Sequence, residues 1–177
     1  AKISDVHERK QTELALLESE RRMASLIANL SGAVYRYELP ASYQGLHHDR
    51  AADFLSDGAS MLTGQMSSPF ARGKTRQSLG SLIVPEDRPL LQSALASAIA
   101  GSGRFDVTYR LHHGLSGEHW VNESGCVWQR PDGSWTVDGH IIDITAERHA
   151  RDAEQVFRTL VTESCAGFVS LSQAGCV

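Results

Sequence analysis

The sequence predicts an α+β domain in which helices pack on one face of a five-stranded antiparallel sheet, with a further helix at each end. Three observations lead to this prediction. Residues 105–111 alternate apolar and polar side chains, which is the period of a strand with one buried face. Turn-forming residues at 114–117 and 131–134 divide the following apolar segments into strands. Residues 5–30 contain neither Gly nor Pro, as a long helix requires.

The first helix carries a narrow apolar seam along a surface of Glu, Arg, Lys and Gln. Leu16, Met23 and Leu30 recur every seven residues, the spacing of a helix that packs against another helix. We therefore predict a parallel dimer seam at these three residues. Packing of the seam against the chain's own domain is the alternative.

The middle of the chain predicts two strands and then two helices. Residues 33–39 and 49–55 have strand composition, and the second segment leads into a short helix near residues 57–62. A longer helix begins at Pro85, because proline suits the first helical position and two acidic residues follow in the first turn.

The last three strands predict a meander. Residues 105–111, 118–130 and 135–144 are strand segments joined by the two turns. Two strands, helices and then three strands give one antiparallel sheet covered on one side.

A repeated junction indicates that the chain comes from a longer array. Residues 5–10 are similar to residues 143–148, and residues 20–26 are similar to residues 154–160. The repeat is domain-sized, far longer than a solenoid unit. It predicts a connecting helix at 1–28, a whole domain at 29–145, a second connecting helix at 146–156 and the start of a second domain at 157–177.

The composition excludes several classes of partner. The formal net charge of −4 gives no basic surface for nucleic acid. We find no apolar stretch of about 20 residues and no signal peptide, so no membrane contact is expected of this segment. Three cysteines without a Cys-x-x-Cys pattern suit a reducing cytoplasm. We therefore predict a cytoplasmic location.

Five segments, in this order and with these spacers, resemble a PAS domain of the bacterial sensory type, including its C-terminal PAC motif. They are residues 54–64, 84–88, 105–111, 120–121 and 143–145. The resemblance implies the PAS fold for residues 29–145 and a second PAS domain from residue 157. It also implies a cavity between sheet and helices, dimerisation, and a signal that runs along the flanking helices to a histidine kinase or a diguanylate cyclase/phosphodiesterase.

No chemistry of its own is predicted for this segment. It contains no nucleophile and base at a spacing typical of a catalytic pair, no phosphate-binding loop and no zinc-protease motif. We therefore expect the chain to be non-catalytic, with any kinase or cyclase activity in the rest of the parent protein.

No cofactor is predicted either. A flavin-adduct sensor of this family would carry a reactive cysteine in a helix, whereas the first cysteine is Cys126, which we expect to be a buried strand residue. The family's haem proteins commonly use a histidine of the long helix, and residues 85–100 contain none. Haem and flavin are not expected, although a histidine that projects from the sheet could still serve as a haem ligand, and four histidines are candidates. These histidines are His112, His113, His119 and His140.

No metal site is predicted. His47 and His48 are adjacent, and adjacent residues on a strand face opposite sides, so the pair should not hold one ion. We expect these histidines to be solvated.

Two functional sites are predicted. A ligand pocket with an apolar wall and a few polar groups would be lined by Tyr37, Phe54, Tyr109, Trp120, Trp128 and His140. The alternative is that these side chains fill the core of a structural spacer. A relay would lie at Asp143, Ile144 and Thr145, where Ile144 plugs the core and a neighbour caps the next helix. The alternative here is a plain cap that carries no signal.

Overall fold

The computed structural model of the chain describes residues 2–64, 78–114 and 116–173, and side chains within residues 9–64, 78–114 and 116–162. The five strands are β1 (Ala33–Leu39), β2 (Phe54–Leu55), β3 (Arg104–His113), β4 (Gly117–Gln129) and β5 (Trp135–Asp143). The α-helices are α1 (Lys2–Ala28), α2 (Gly58–Thr63), α3 (Arg88–Ser97) and α4 (Thr145–Gln173). Short 3-10 turns span His47–Asp49, Leu79–Leu82 and Pro85–Asp87, and a π-helical turn spans Ala98–Ser102.

The sheet is antiparallel throughout, with strand order β2-β1-β5-β4-β3. The first long strand pairs with the last, from Ala33 opposite Ile141 to Leu39 opposite Trp135. The first and last long strands of the domain are therefore neighbours, and β5 is the middle strand of the open sheet. The predicted fold class is confirmed.

The core lies between one face of the sheet and the helices. Alternate residues of β3 are buried, as their period predicts, and they include Phe105, Val107 and Tyr109. From α3, Leu91 and Leu95 are buried on the same side. Among the described helices, none combines the length and apolar character that a membrane span needs.

The segment before β2 differs from its prediction. Only Phe54 and Leu55 of the predicted strand 49–55 form strand pairs, and His47–Asp49 is a 3-10 turn. Further along, α4 is continuous to Gln173. The division of this helix into a connector at 146–156 and a second domain stays a prediction, and residues 174–177 lie outside the described residues.

Candidate functional site

A fully buried carboxylate lies at the centre of the core. Glu123 is on β4, and strand alternation turns it to the same face as Val121 and Val127. Its exposed fraction is 0%. Burying a charge lowers the stability of a fold unless the charge is paired and hydrogen-bonded. The stability cost of burying Glu123 therefore depends on the groups around its carboxylate.

Four side chains donate hydrogen bonds to this carboxylate. Its Oε1 accepts from the Tyr35 hydroxyl and from His47 Nε2 at 3.1 Å. Its Oε2 accepts from the Tyr109 hydroxyl at 2.6 Å and from His48 Nε2 at 3.0 Å. Both imidazoles donate through Nε2, because an ionised carboxylate only accepts. Both oxygens are thus satisfied inside the core.

A third tyrosine extends the arrangement, since the Tyr37 hydroxyl lies 2.9 Å from His48 Nδ1. We call these six side chains the Glu123 network. All are at most 1% exposed, and they are Tyr35, Tyr37, His47, His48, Tyr109 and Glu123.

The network keeps its tyrosines neutral and its carboxylate charged. Burial, followed by the nearby Glu123 charge, raises the pKa of Tyr35 and of Tyr109 well above the ordinary value. Burial alone would also raise the pKa of Glu123, but the electrostatic influence of His48 and the hydrogen bonds from His47 and His48 together hold it well below its usual range. Burial, followed by the neighbouring His48, lowers the pKa of His47 to about 4. His47 is therefore neutral at pH 7.

The two adjacent histidines correct the sequence-based expectation. They were expected to be solvated and to face opposite sides of a strand, but the 3-10 turn brings both rings into the core with centroids 4.0 Å apart. One potential ligand atom from each of His47, His48 and Glu123 lies within 4.8 Å of the other two. His47 Nδ1 is buried and has no hydrogen-bond partner. The expectation that the two side chains lie on opposite sides was therefore wrong.

Two glycines leave room for the network's aromatic rings. In one row across the sheet, Tyr35 pairs with Gly139, Gly139 with Gly125, and Gly125 with Phe105. A Cβ at Gly139 would overlap the Tyr35 ring, and one at Gly125 would overlap the Phe105 ring. β5 and β4 therefore carry no side chain at the two positions over which the Tyr35 and Phe105 rings lie.

The six residues of the predicted pocket do not line one cavity. Tyr37 and Tyr109 belong to the buried network. Phe54, Trp128 and His140 instead line an open groove of about 1150 Å³ on the opposite face of the sheet, bordered by Met23 and Ile27 of α1. The physical reason is strand alternation, which puts Trp128 out of phase with buried Val127.

The sixth residue, Trp120, also lies on the outer face of β4. Its ring packs under the Arg148 guanidinium, whose central carbon is 3.9 Å from the ring centroid. The same alternation exposes Cys126, which was expected to be buried.

The predicted relay residues form a joint between β5, β4 and α4. Asp143 Oδ1 accepts the Thr145 N–H at 2.8 Å, and Asp143 Oδ2 lies 2.6 Å from His119 Nδ1. The Ile144 N–H donates to the Trp120 carbonyl at 2.8 Å. The Thr145 hydroxyl oxygen accepts the Trp120 N–H at 2.9 Å. The start of α4 is therefore fixed to β4 by backbone and side-chain hydrogen bonds.

The predicted dimer seam is exposed in the single chain. Leu16 and Met23 are each 60% exposed and Leu30 is 51% exposed. Close packing of the seam on the chain's own domain is therefore not observed. The dimer itself stays a prediction.

Sequence reasoning missed Tyr35, His47, His48 and Glu123 as a group. One signal was available, because Glu123 stands in phase with apolar Val121 and Val127, and an acid on a buried face needs partners. The partners come from a distant turn and from β1, and no local pattern reveals that they meet.

Comparisons with known proteins agree with this architecture. The family model described as PAS fold matches residues 53–141, which is half of the chain. No curated protein matches the chain.

Solved structures share the fold at low sequence identity. A sensory box histidine kinase/response regulator from Burkholderia thailandensis E264 is 20% identical with a TM-score of 0.58, over 80% of this chain and 98% of that one. The PAS domain of an HTR-like protein from Haloarcula marismortui is 16% identical with a TM-score of 0.53, over 76% and 99%. An RNA-binding light-oxygen-voltage receptor is 20% identical with a TM-score of 0.54, over 85% and 39%. The family match and the five-stranded sheet together show that the chain belongs to the family of proteins with the PAS fold.

Proposed function

We propose that this chain is a cytoplasmic sensor and dimerisation module of a bacterial signal-transduction protein, and that it relays a change in its core to an output domain through α4. The output would be a histidine kinase or a diguanylate cyclase/phosphodiesterase. The segment itself is non-catalytic in this proposal and responds to a small ligand or a partner. The fold that it shares with a sensory box histidine kinase supports this class.

One observation carries the relay, namely that the buried network and the start of α4 are attached to the same strand. Glu123 receives the hydrogen bonds of the core, and Trp120 lies three residues earlier on β4. The Trp120 backbone holds both Ile144 and Thr145. A shift of β4 that follows a change at Glu123 would therefore move the first turn of α4.

The relay can be tested by hydrogen–deuterium exchange of the backbone amides in residues 144–156. Tyr109→Phe removes one hydrogen bond to Glu123 without changing the ring, and we expect it to change amide protection at the start of α4. The same substitution in an Asp143→Ala, Thr145→Ala background should have a smaller effect there, because the joint is loosened.

Asp132→Ala is the matched control for this experiment. Its carboxylate caps only its own exposed turn through Ser134, so the response to Tyr109→Phe should survive it. If Tyr109→Phe changes exchange in β3 and β4 but leaves residues 144–156 as they are in the wild type, the relay proposal is wrong.

A structural spacer is the second candidate, because bulky side chains of the Glu123 network occupy the helix-facing side of the sheet. Native mass spectrometry of the freshly purified chain separates the two functions. Retained extra mass supports a sensor and identifies its ligand, whereas an unliganded dimer with no exchange response in α4 supports the spacer.

A further inference from the structure

We propose that His47, His48 and Glu123 bind one divalent first-row transition-metal ion, Zn²⁺ or Fe²⁺, in the core of the domain. This inference deepens the proposed function by naming the chemical class of the ligand. Two imidazoles and one carboxylate are the ligand types that both ions accept in proteins. All three side chains are fully buried, so the ion would be shielded from competing solvent.

The distances suit a shared ion. His47 Nε2 and His48 Nε2 lie 3.1 Å and 3.0 Å from the two Glu123 oxygens. Ligand bonds of about 2.0–2.2 Å around a tetrahedral ion separate neighbouring donor atoms by about 3.3–3.6 Å. The three candidate ligand atoms all lie within 4.8 Å of one another, so an ion can take the place of the two shared protons once the side chains draw together around it.

Binding requires each imidazole to offer the Nε2 lone pair and to carry its proton on Nδ1. For His48 this tautomer has a partner already, because its Nδ1–H would donate to the Tyr37 hydroxyl oxygen at 2.9 Å. Metal-binding histidines almost always make such a hydrogen bond through the other ring nitrogen. His47 Nδ1 has no partner, so we expect His47 to be the weaker ligand.

The tyrosines orient the carboxylate. Tyr35 and Tyr109 donate one hydrogen bond to each Glu123 oxygen, which is the support that ligand carboxylates commonly receive. Three protein ligands leave a further coordination position, where water or a small external ligand can bind. A chemical signal could thus reach the buried carboxylate through the ion.

Entry of the ion needs an opening of the turn that carries both histidines. This turn is held by Asp49, whose carboxylate pairs with Arg88 at 2.7 Å. The ion would load most readily during folding, so the test begins with refolding.

The whole chain is refolded separately with Zn²⁺, with Fe²⁺ under anaerobic conditions and with Co²⁺ as a spectroscopic probe, and is then dialysed. Elemental analysis should give one ion per chain, and Co²⁺ should produce visible ligand-field absorption. Glu123→Gln and His48→Gln should each weaken binding more than tenfold. His149→Gln, at an exposed histidine of α4, should bind like the wild type.

Circular dichroism first establishes that each variant is folded. Should the ligand variants not fold, Tyr37→Phe keeps the core volume and removes only the partner of His48 Nδ1, and we expect about a 10–100-fold loss of metal affinity. Folded wild-type chain that retains none of the three ions would overturn the proposal. So would binding that persists in Glu123→Gln and disappears in His119→Gln, since this pattern indicates the surface histidines.

Failure of the metal site and failure of the relay give different results. Metal content reports the site alone, and amide exchange in residues 144–156 reports the relay alone. Stoichiometric metal without a response in α4 would retain the site and reject the relay.

Discussion

Gly139 is the residue on which the aromatic packing of the core depends. Its position opposite Tyr35 leaves the tyrosine ring free to cross the sheet and reach Glu123. Gly139→Ala places a methyl group against that ring, so Tyr35 must move or lose its hydrogen bond. We expect the free energy of unfolding to fall by about 1–3 kcal/mol, measured by urea denaturation.

Gly101→Ala is the matched control for this prediction. A Cβ at Gly101 meets nothing within 4 Å and the residue lies in a helical turn, so alanine should leave the stability unchanged or raise it by up to about 1 kcal/mol. Equal unfolding midpoints for Gly139→Ala and Gly101→Ala would mean that Tyr35 can be displaced without cost.

At the scale of elements, a charge pair ties β3 to the turn that precedes α3. The Asp87 carboxylate accepts from the Arg110 side chain at 2.9 Å and from its backbone N–H at 2.8 Å. The hydrogen bonds from Arg110 lower the pKa of Asp87 below its usual 3.8, although partial burial opposes them. A carboxyl group with a lower pKa in the folded state than in the unfolded state stabilises the fold above the unfolded pKa. That stabilisation is lost as the pH falls through the folded value.

Asp87→Asn should therefore reduce the free energy of unfolding at pH 7 by about 0.5–1 kcal/mol. The difference from the wild type should shrink as the pH falls below about 4. Urea denaturation across this range measures it, with exposed Asp152→Asn on α4 as the control. A difference that stays constant down to the acid limit would show that the Asp87 charge does not contribute.

The elements differ in how far local sequence determines them. β1 was predicted with its observed bounds and β3 within two residues, because each alternates over at least six residues and buries one face. The burial of the turn at His47–Asp49 was not predictable from local sequence, because both of its histidines bond to Glu123, which lies 75 residues beyond His48. Likewise the six residues of the predicted pocket do not line one cavity, because the face on which Trp128 lies depends on the register of β4 with β5.

At the scale of the whole molecule, both flanking helices present apolar side chains that the described domain does not cover. On α1 these include Leu16 and Met23, and on α4 they include Phe157 and Leu160, which are 67% and 58% exposed. Exposed apolar rows at helical spacing are typical of surfaces that pack against another helix. A second copy of the chain supplies identical helices, so a dimer through α1 would cover the apolar row of that helix.

We therefore expect the isolated chain to form a dimer through the seam at Leu16, Met23 and Leu30. The double variant Leu16→Ser, Leu30→Ser removes apolar area that is buried only in the dimer, and it should weaken the dimer more than tenfold, or by more than about 1.4 kcal/mol. Sedimentation velocity over a concentration series measures this change. Leu90→Ser is the control, because Leu90 is 54% exposed on α3 and lies outside the seam. If the double variant and the control dissociate at the same concentration, the chain associates through another surface, and the heptad spacing of α1 then has no role in dimerisation.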